Sequence, residues 1–365
     1  MWCPNDVSDI VLAFCKVWTY FGLPIYKLKT VNETKKIIQH QKYYICVLNL
    51  VIFGSVLLLY FVFLPVENNL ASYVSFYEYF VNYFQTIVII IYAHVKKKEF
   101  EDIFNELISI EGNIHYFSGR KLIYDKLGKE LVRYVVQQTI VSILLFVFDI
   151  YSNIRSETEL VFIIGYYFGY WANFHFGFFL LFLPKIVLKL YCDFINAIKH
   201  QNAKNTIKVY TKLHSLSVSV VKTLQVFILL RTFSTFSITA LDIFFGISLL
   251  TTHHFSQFLT ICLIFMNVSW LINVLFNEFL MLYYFEKILE QKQLIGELIS
   301  ENNRFCNRKE LILIYLKFGH EPPFMVCGLF PLNCTLIFSM IAGVATQIIY
   351  LFQFIQKKDL ENYLY

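Results

Sequence analysis

Charge is scarce in this chain. Only 16% of its 365 residues are charged, whereas soluble domains carry about a quarter. Hydrophobic residues make up 57% and aromatic residues 19%, and the mean hydropathy is +0.56. Glycine (13) and proline (7) are also sparse, which excludes collagen-like and low-complexity chains. A soluble globule is therefore excluded, and helices that satisfy their own backbone groups inside a membrane remain.

The chain also lacks the sequence motifs of common enzyme classes. It contains no P-loop, no GxSxG, no HExxH and no CxxC pair, so we predict no enzymatic activity, no cofactor and no metal site. We likewise expect no nucleic-acid partner. A secretory leader is not indicated either, because Asp6 and Asp9 precede the first apolar stretch where basic residues are expected.

The first apolar stretch is too interrupted to predict a membrane span. Residues 10–26 are apolar and aromatic, but Lys16, Gly22 and Pro24 break them. Two arrangements fit this pattern equally well: a helix lying in the headgroup region, and a helix packed under the bundle.

Seven later stretches are predicted to cross the membrane, because a helix needs roughly 20 apolar residues to span the hydrocarbon core. One of them contains Arg231 and Asp242, whose charges would have to face protein or water. We therefore predict an all-α polytopic membrane protein whose helices extend into a cytoplasmic layer. Its segments are a cytoplasmic N-terminal part at 1–42, a seven-span domain at 43–354 with spans at about 44–64, 74–95, 134–151, 160–184, 224–250, 255–277 and 331–354, and an external tail at 355–365.

The distribution of basic residues predicts the orientation. Of the 31 lysines and arginines, 27 precede the first span or lie between spans 2–3, 4–5 and 6–7, and only 3 lie in the remaining loops and the C-terminal tail. Because cytoplasmic loops carry the excess of basic residues, we place the N-terminus inside and the C-terminus outside. The sequons at Asn32, Asn267 and Asn333 then lie in the cytosol or the membrane, which agrees with this orientation.

Two motifs in the C-terminal third carry a family resemblance. A turn, Gly328-Leu329-Phe330-Pro331-Leu332, precedes the last span, and the span itself contains Thr346-Gln347 followed after five residues by Gln353-Phe354. The chain thereby resembles the insect gustatory receptor family, whose last span carries T-Y-x5-Q-F after G-L-F-x-L. One position departs from the family pattern, because Gln347 replaces its tyrosine.

The resemblance implies a ligand-gated, non-selective cation channel. Four subunits, identical or mixed with other gustatory receptors, would each contribute the last span to a central pore in the plasma membrane of sensory neuron dendrites. Gln353 and Phe354 would lie near the outer gate, with Thr346, Gln347 and Tyr350 along the pore. Without the family motif, Gln353 and Phe354 would be read as residues at the membrane interface.

A ligand site is predicted in the outer half of the bundle, where aromatic and polar residues are mixed. The residues proposed to line it are Tyr83, Tyr167, Tyr170, Trp171, Asp242, Phe245 and Gln257. Rings with a carboxylate suit a cationic or polyhydroxylated small molecule. Gln347 stands where the family has a tyrosine, and this departure favours a bitter tastant.

Three other functions are compatible with a polytopic chain. An odorant-receptor-type subunit would share the topology but need a co-receptor. A secondary transporter usually shows two similar halves, and none are visible here. A G-protein-coupled receptor would have the opposite orientation.

Overall fold

A computed structural model describes residues 4, 6–31, 34–40, 43–63, 70–119, 123–153, 157–198, 203–251, 257–301 and 323–363. These residues are almost all helical, which confirms the predicted fold class. The helices are α1 (Val7–Tyr20), α2 (Tyr43–Phe63), α3 (Leu70–Val95), α4 (Lys97–Ser118), α5 (Asp125–Asn153), α6 (Glu157–Ile198), α7 (Ala203–Thr251), α8 (Gln257–Glu301) and α9 (Thr335–Tyr363), and the strands are β1 (Ile25–Val31), β2 (Thr34–His40), β3 (Met325–Val326) and β4 (Phe330–Pro331).

Three helices are much longer than a bilayer is thick. α7 has 49 residues, or about 74 Å at 1.5 Å per residue, against a hydrocarbon core of about 30 Å. α6, α7 and α8 therefore continue beyond the membrane, as predicted. Among the described residues, four stretches are long and apolar enough to span it: Asp125–Val147, Ile207–Phe244, Val268–Leu298 and Thr335–Gln353. The boundaries of the seven spans and of the flanking segments remain predictions.

α6 is the central helix of the bundle. It packs against α1, α2, α3, α4, α5, α7 and α8. From Phe176 to Ile198 most of its side chains are buried, because a helix surrounded by others must be apolar on every face.

α1 packs inside the bundle, so the structure selects the second of the two arrangements open for residues 10–26. Asp6 caps its first turn by accepting a hydrogen bond from the Asp9 amide at 3.0 Å. Phe14 stacks on Phe182 of α6 at 3.7 Å between ring centroids. Trp18, only 2% exposed, lies against Phe179 at 3.8 Å.

A β-hairpin follows α1, and nothing in the apolar pattern predicted it. β1 and β2 pair antiparallel in the register Ile25 with His40. The hairpin is fastened to α4 by Asn105, whose side chain accepts from the Ile37 amide at 2.8 Å and donates to the Ile37 carbonyl at 2.9 Å. The Tyr26 hydroxyl also donates to the Lys97 carbonyl at 2.8 Å. The described residues before α2, 6–31 and 34–40, are thus packed into the fold.

A partly buried acid on α4 makes the contact between α4 and α1 sensitive to pH. Glu111 accepts from the Val7 amide at the start of α1 at 3.2 Å, and burial raises the pKa of its carboxyl from 4.5 to about 7. Because the folded protein then holds this proton more tightly than the unfolded chain, low pH favours folding. This contribution to stability is complete below pH 4.5 and is lost as the pH rises through about 7.

We therefore expect the melting temperature of the purified protein to fall as the pH is raised from 4.5 to about 7. The corresponding loss in the free energy of unfolding is up to about 3 kcal/mol. Glu111→Gln keeps an acceptor for Val7 but cannot ionise, so it should flatten this part of the profile. An unchanged profile in the variant would assign the pH dependence to other groups.

A tight turn connects β3 to β4 just before α9. Cys327 and Gly328 both adopt positive φ, 50° and 72°, and the Leu329 amide donates to the Val326 carbonyl at 2.8 Å. Cys327 and Gly328 are the central residues of this β-turn, which lies within the three-residue loop 327–329 between the paired Val326 and Phe330, and positive φ there favours glycine or a tolerant residue. The Cys334 amide then donates to Glu286 of α8 at 2.9 Å, which fixes the start of α9 against the bundle.

Candidate functional site

Among the four described stretches that could span a membrane, that of α9 is covered least by its own chain. In its apolar stretch, Thr335–Gln353, 11% of the residues are buried, against 50% in the corresponding stretch of α7. Thr346, Tyr350 and Gln353 are all exposed and lie four and three residues apart, so they share one face. Gln347 is partly buried. The predicted pore residues thus lie on a helix whose faces are largely free in the single chain.

Where α9 does contact the bundle, it packs on α7. The ring of Phe236 lies so close to Gly343 that a Cβ there would stand 2.8 Å from Phe236 Cε2. Nearer the C-terminal end of α9, Phe352 packs on Phe244 of α7 with ring centroids 5.1 Å apart. α7 and α9 are therefore in direct contact at two levels along α9.

Two of the predicted pocket residues come together in an aromatic cluster between α5, α6 and α8. Tyr167 packs on Phe146 at 5.0 Å and on Tyr170 at 6.4 Å. Tyr170 lies 4.3 Å from Trp270 of α8, with Ser142 and Asn273 in hydrogen-bond contact. The cluster combines large apolar faces with a few buried polar groups, as ligand sites do.

A buried polar network continues inward from this cluster. Gln138 of α5 donates to Asn273 of α8 at 2.8 Å. One turn before Gln138 on α5 and one turn after Asn273 on α8, the Tyr134 hydroxyl donates to the Asn277 side chain. The network ends at a small cavity of about 10 Å³, whose lining includes Tyr134, Arg231, Asn277 and Glu278. Such a space holds about one water molecule.

Arg231 and Glu278 give this cavity one charge of each sign. Glu278 is only 1% exposed and accepts a hydrogen bond from Thr232 of α7 at 2.6 Å. A charge buried in this way is tolerated when hydrogen bonds and an opposite charge compensate it. The hydrogen bond between Thr232 and Glu278 joins α7 to α8 beside this cavity.

Two other pocket candidates lie apart from the aromatic cluster. Tyr83 is fully buried on α3, stacked on Tyr79 at 4.7 Å, and its ring occupies the space that a side chain at Gly169 would fill. Trp171 is 40% exposed, whereas its neighbour Tyr170 is buried. The arrangement of Tyr83 is that of a helix-packing residue.

Asp242 forms a separate polar contact between α7 and α3. It is 7% exposed, and its carboxyl is in hydrogen-bond contact with that of Glu78. Phe245, Gln257 and Phe354 lie in helices, but their side chains are outside the described part of the structure, so their predicted roles remain predictions.

Sequence reasoning missed Trp270, Asn273 and Glu278. Asn273 and Trp270 lie three residues apart within a predicted span, and their spacing places them on one helix face. Glu278 follows the predicted end of that span by one residue, where a charge is expected on the membrane surface. The structure shows instead that Glu278 is buried and hydrogen-bonded to Thr232.

Comparisons with known proteins agree on one family and one fold. Residues 12–358 match the family described as 7tm Chemosensory receptor. The structure is similar to that of the insect olfactory receptor OR5 from Machilis hrabei, with a TM-score of 0.70, 13% identity and coverage of 95% of this chain and 98% of that one. The same receptor in complex with eugenol gives a TM-score of 0.64 at 14% identity, with the same coverage. A search of curated proteins finds no match.

Proposed function

This chain belongs to the 7tm chemosensory receptor family, and from that premise we propose that it is a gustatory receptor acting as a ligand-gated, non-selective cation channel. The observation that carries the proposal is the exposure of α9, whose uncovered face presents the polar side chains of Thr346 and Gln353; lipid cannot hydrogen-bond these groups, whereas a water-filled pore or a partner subunit can. Four copies, or copies mixed with other gustatory receptors, would cover α9 and enclose a pore. The gustatory motifs at 328–332 and 346–354 support the taste assignment over the odorant type.

The aromatic cluster of Tyr167, Tyr170 and Trp270 is the part of the predicted outer-half pocket that we propose binds the tastant. Its rings and amides suit a small molecule with an apolar body and a few polar groups. OR5, which has the same fold, has been solved with eugenol. We place the receptor in the plasma membrane of sensory neuron dendrites and favour a bitter tastant.

The function is tested by recording currents from cells that express this chain alone, against sugars and plant alkaloids. Ligand-evoked cation current would support the proposal. Current that appears only beside a dedicated odorant co-receptor would favour the odorant-type alternative. A surface-expressed chain that gives no current in either setting would overturn the channel assignment.

The gate is tested by Phe354→Ala in the same cells. A bulky ring that closes a narrow pore by dewetting it should, when removed, raise the ligand-independent current several-fold. Phe338→Ala is the matched control, because it makes the same change on α9 about 24 Å nearer the cytoplasm. Equal baseline currents in the wild type and Phe354→Ala would remove Phe354 from the gate.

A further inference from the structure

The outer face of the β1–β2 hairpin is basic. Lys27, Lys29 and Lys36 are all exposed. Lys29 stands directly opposite Lys36 in the register of the two strands, and Lys27 lies two residues from Lys29, so the three side chains share one face. The other face carries Tyr26 and Ile37, which are 5% and 0% exposed. The hairpin therefore packs on the bundle with one face and turns these lysines away from it.

The three lysines have no acidic partner among the described residues. None of them forms a hydrogen bond or an ion pair with another described residue, whereas Lys35, on the other face, pairs with Asp6. The Cα atoms of directly opposite residues such as Lys29 and Lys36 are about 5 Å apart, and Lys27 lies about 7 Å along β1 from Lys29. Like charges directly opposite each other destabilise a sheet. An anion held between these side chains would relieve that repulsion.

The hairpin begins at the level of the inner membrane surface. The Tyr26 hydroxyl donates to the carbonyl of Lys97 at 2.8 Å, and Lys97 is the first residue of α4, which follows the second predicted span. Only residues 41–42 separate β2 from α2, the first predicted span. Two exposed tyrosines flank the hairpin in the sequence, Tyr20 (80% exposed) and Tyr44 (63% exposed), and tyrosine is enriched where membrane meets water. With the N-terminus inside, this is the cytoplasmic surface.

From that surface the hairpin extends along α4 into the cytoplasm. The Ile37 amide donates to Asn105 at 2.8 Å, and Asn105 lies eight residues beyond the start of α4, or about 12 Å along the helix. Lys27 thus lies near the membrane surface, and Lys29 and Lys36 lie about 7 Å further into the cytoplasm. The three lysines form a short column of positive charge that leads away from the bilayer.

We propose that this basic face binds the headgroup of an inositol lipid that carries phosphates on its ring. Anionic lipids of the inner leaflet attract lysines near the surface, and the attraction fades within a Debye length of about 8 Å. The phosphate of a simple anionic lipid lies at the bilayer surface, where it meets Lys27 alone. Phosphates on the inositol ring stand further out in the water, where they also meet Lys29 and Lys36. The proposal concerns lipid recognition and is independent of the tastant and of the channel.

The proposal is tested by fluorescence anisotropy on the purified full-length chain in detergent, with a fluorescent short-chain phosphatidylinositol bisphosphate as the probe. We expect saturable binding at micromolar receptor concentrations. Lys29→Gln/Lys36→Gln should weaken binding about 10- to 30-fold, and Lys27→Gln alone about 5-fold. Lys29→Arg/Lys36→Arg keeps both charges and should keep most of the binding. Because these lysines are exposed, all the variants should keep the wild-type melting temperature.

Lys126→Gln/Lys129→Gln is the matched control. Both lysines are exposed on α5, which enters the third predicted span from the same side of the membrane, so this variant loses the same charge at a different place. It should bind the probe as tightly as the wild type. An equal loss of binding in this control would assign the effect to the net charge of the cytoplasmic side and overturn the proposal. A wild-type protein that does not bind the probe would also overturn it.

Two competitors identify the source of the phosphates. Short-chain phosphatidylserine at equal total charge should displace the probe poorly. Displacement as strong as that by unlabelled phosphatidylinositol bisphosphate would overturn the assignment to ring phosphates. Soluble inositol trisphosphate should bind more weakly than the lipid, because it has no acyl chains to hold it at the membrane surface. If it bound as tightly as the lipid, the face would be a site for a soluble polyphosphate and the lipid proposal would be wrong.

Discussion

Trp18→Ala should lower the free energy of unfolding by about 3–5 kcal/mol, the usual cost of removing a large buried aromatic side chain. Trp18 is 2% exposed and lies between Phe179 of α6 and Phe100 of α4, at 3.8 and 6.2 Å between ring centroids. Its loss would leave a cavity where α1, α4 and α6 meet. The measurements are the melting temperature in detergent and the amount of receptor at the cell surface, both of which should fall.

Val17→Ala is the matched control for this change. Val17 is the neighbouring residue of α1 and is 42% exposed, so truncating it should alter stability by no more than about 0.5 kcal/mol. Equal melting temperatures in Trp18→Ala and Val17→Ala would show that α1 is not packed in the bundle. That outcome would restore the headgroup arrangement that the sequence left open.

Gly343→Leu should separate α9 from α7. A Cβ at this position would stand 2.8 Å from the Phe236 ring, closer than real Cβ atoms approach other atoms, so the ring must move or the helices must shift apart. Overpacking of this kind costs about 1–3 kcal/mol. We expect a lower melting temperature and, because α9 is the proposed pore helix, an altered ligand response in the receptors that reach the surface.

Phe236→Ala should restore the packing of the Gly343→Leu protein, since it removes the ring that the leucine meets. Recovery of the melting temperature in the double variant would assign the effect to this contact. Gly54→Leu serves as the control, because no atom lies within 4 Å of a Cβ at Gly54. If Gly54→Leu were as damaging as Gly343→Leu, the effect would come from losing a helical glycine and not from contact with α7.

The sequence grouped Tyr167 with Tyr170, and their rings do contact each other, because residues three apart on a helix share a face; their role in binding a ligand remains a prediction. Their partner Trp270 is on α8, about 100 residues away, and no local pattern relates the two positions. Likewise Asp242 was recognised as unusual, but its contact with Glu78 depends on how α3 and α7 are aligned, which hydropathy does not describe.

Membrane insertion, orientation and the helical fold class could all be deduced from the amino-acid sequence. These properties depend on the hydropathy of each segment and on which side of the membrane its lysines and arginines lie, and both quantities are local. The docking of α1 on α6, the fastening of the β1–β2 hairpin by Asn105 and the burial of Glu278 were decided by the tertiary structure. Each depends on the rotation and alignment of helices distant in the sequence, and in a chain that is 57% hydrophobic nearly every helix face is apolar enough to pack.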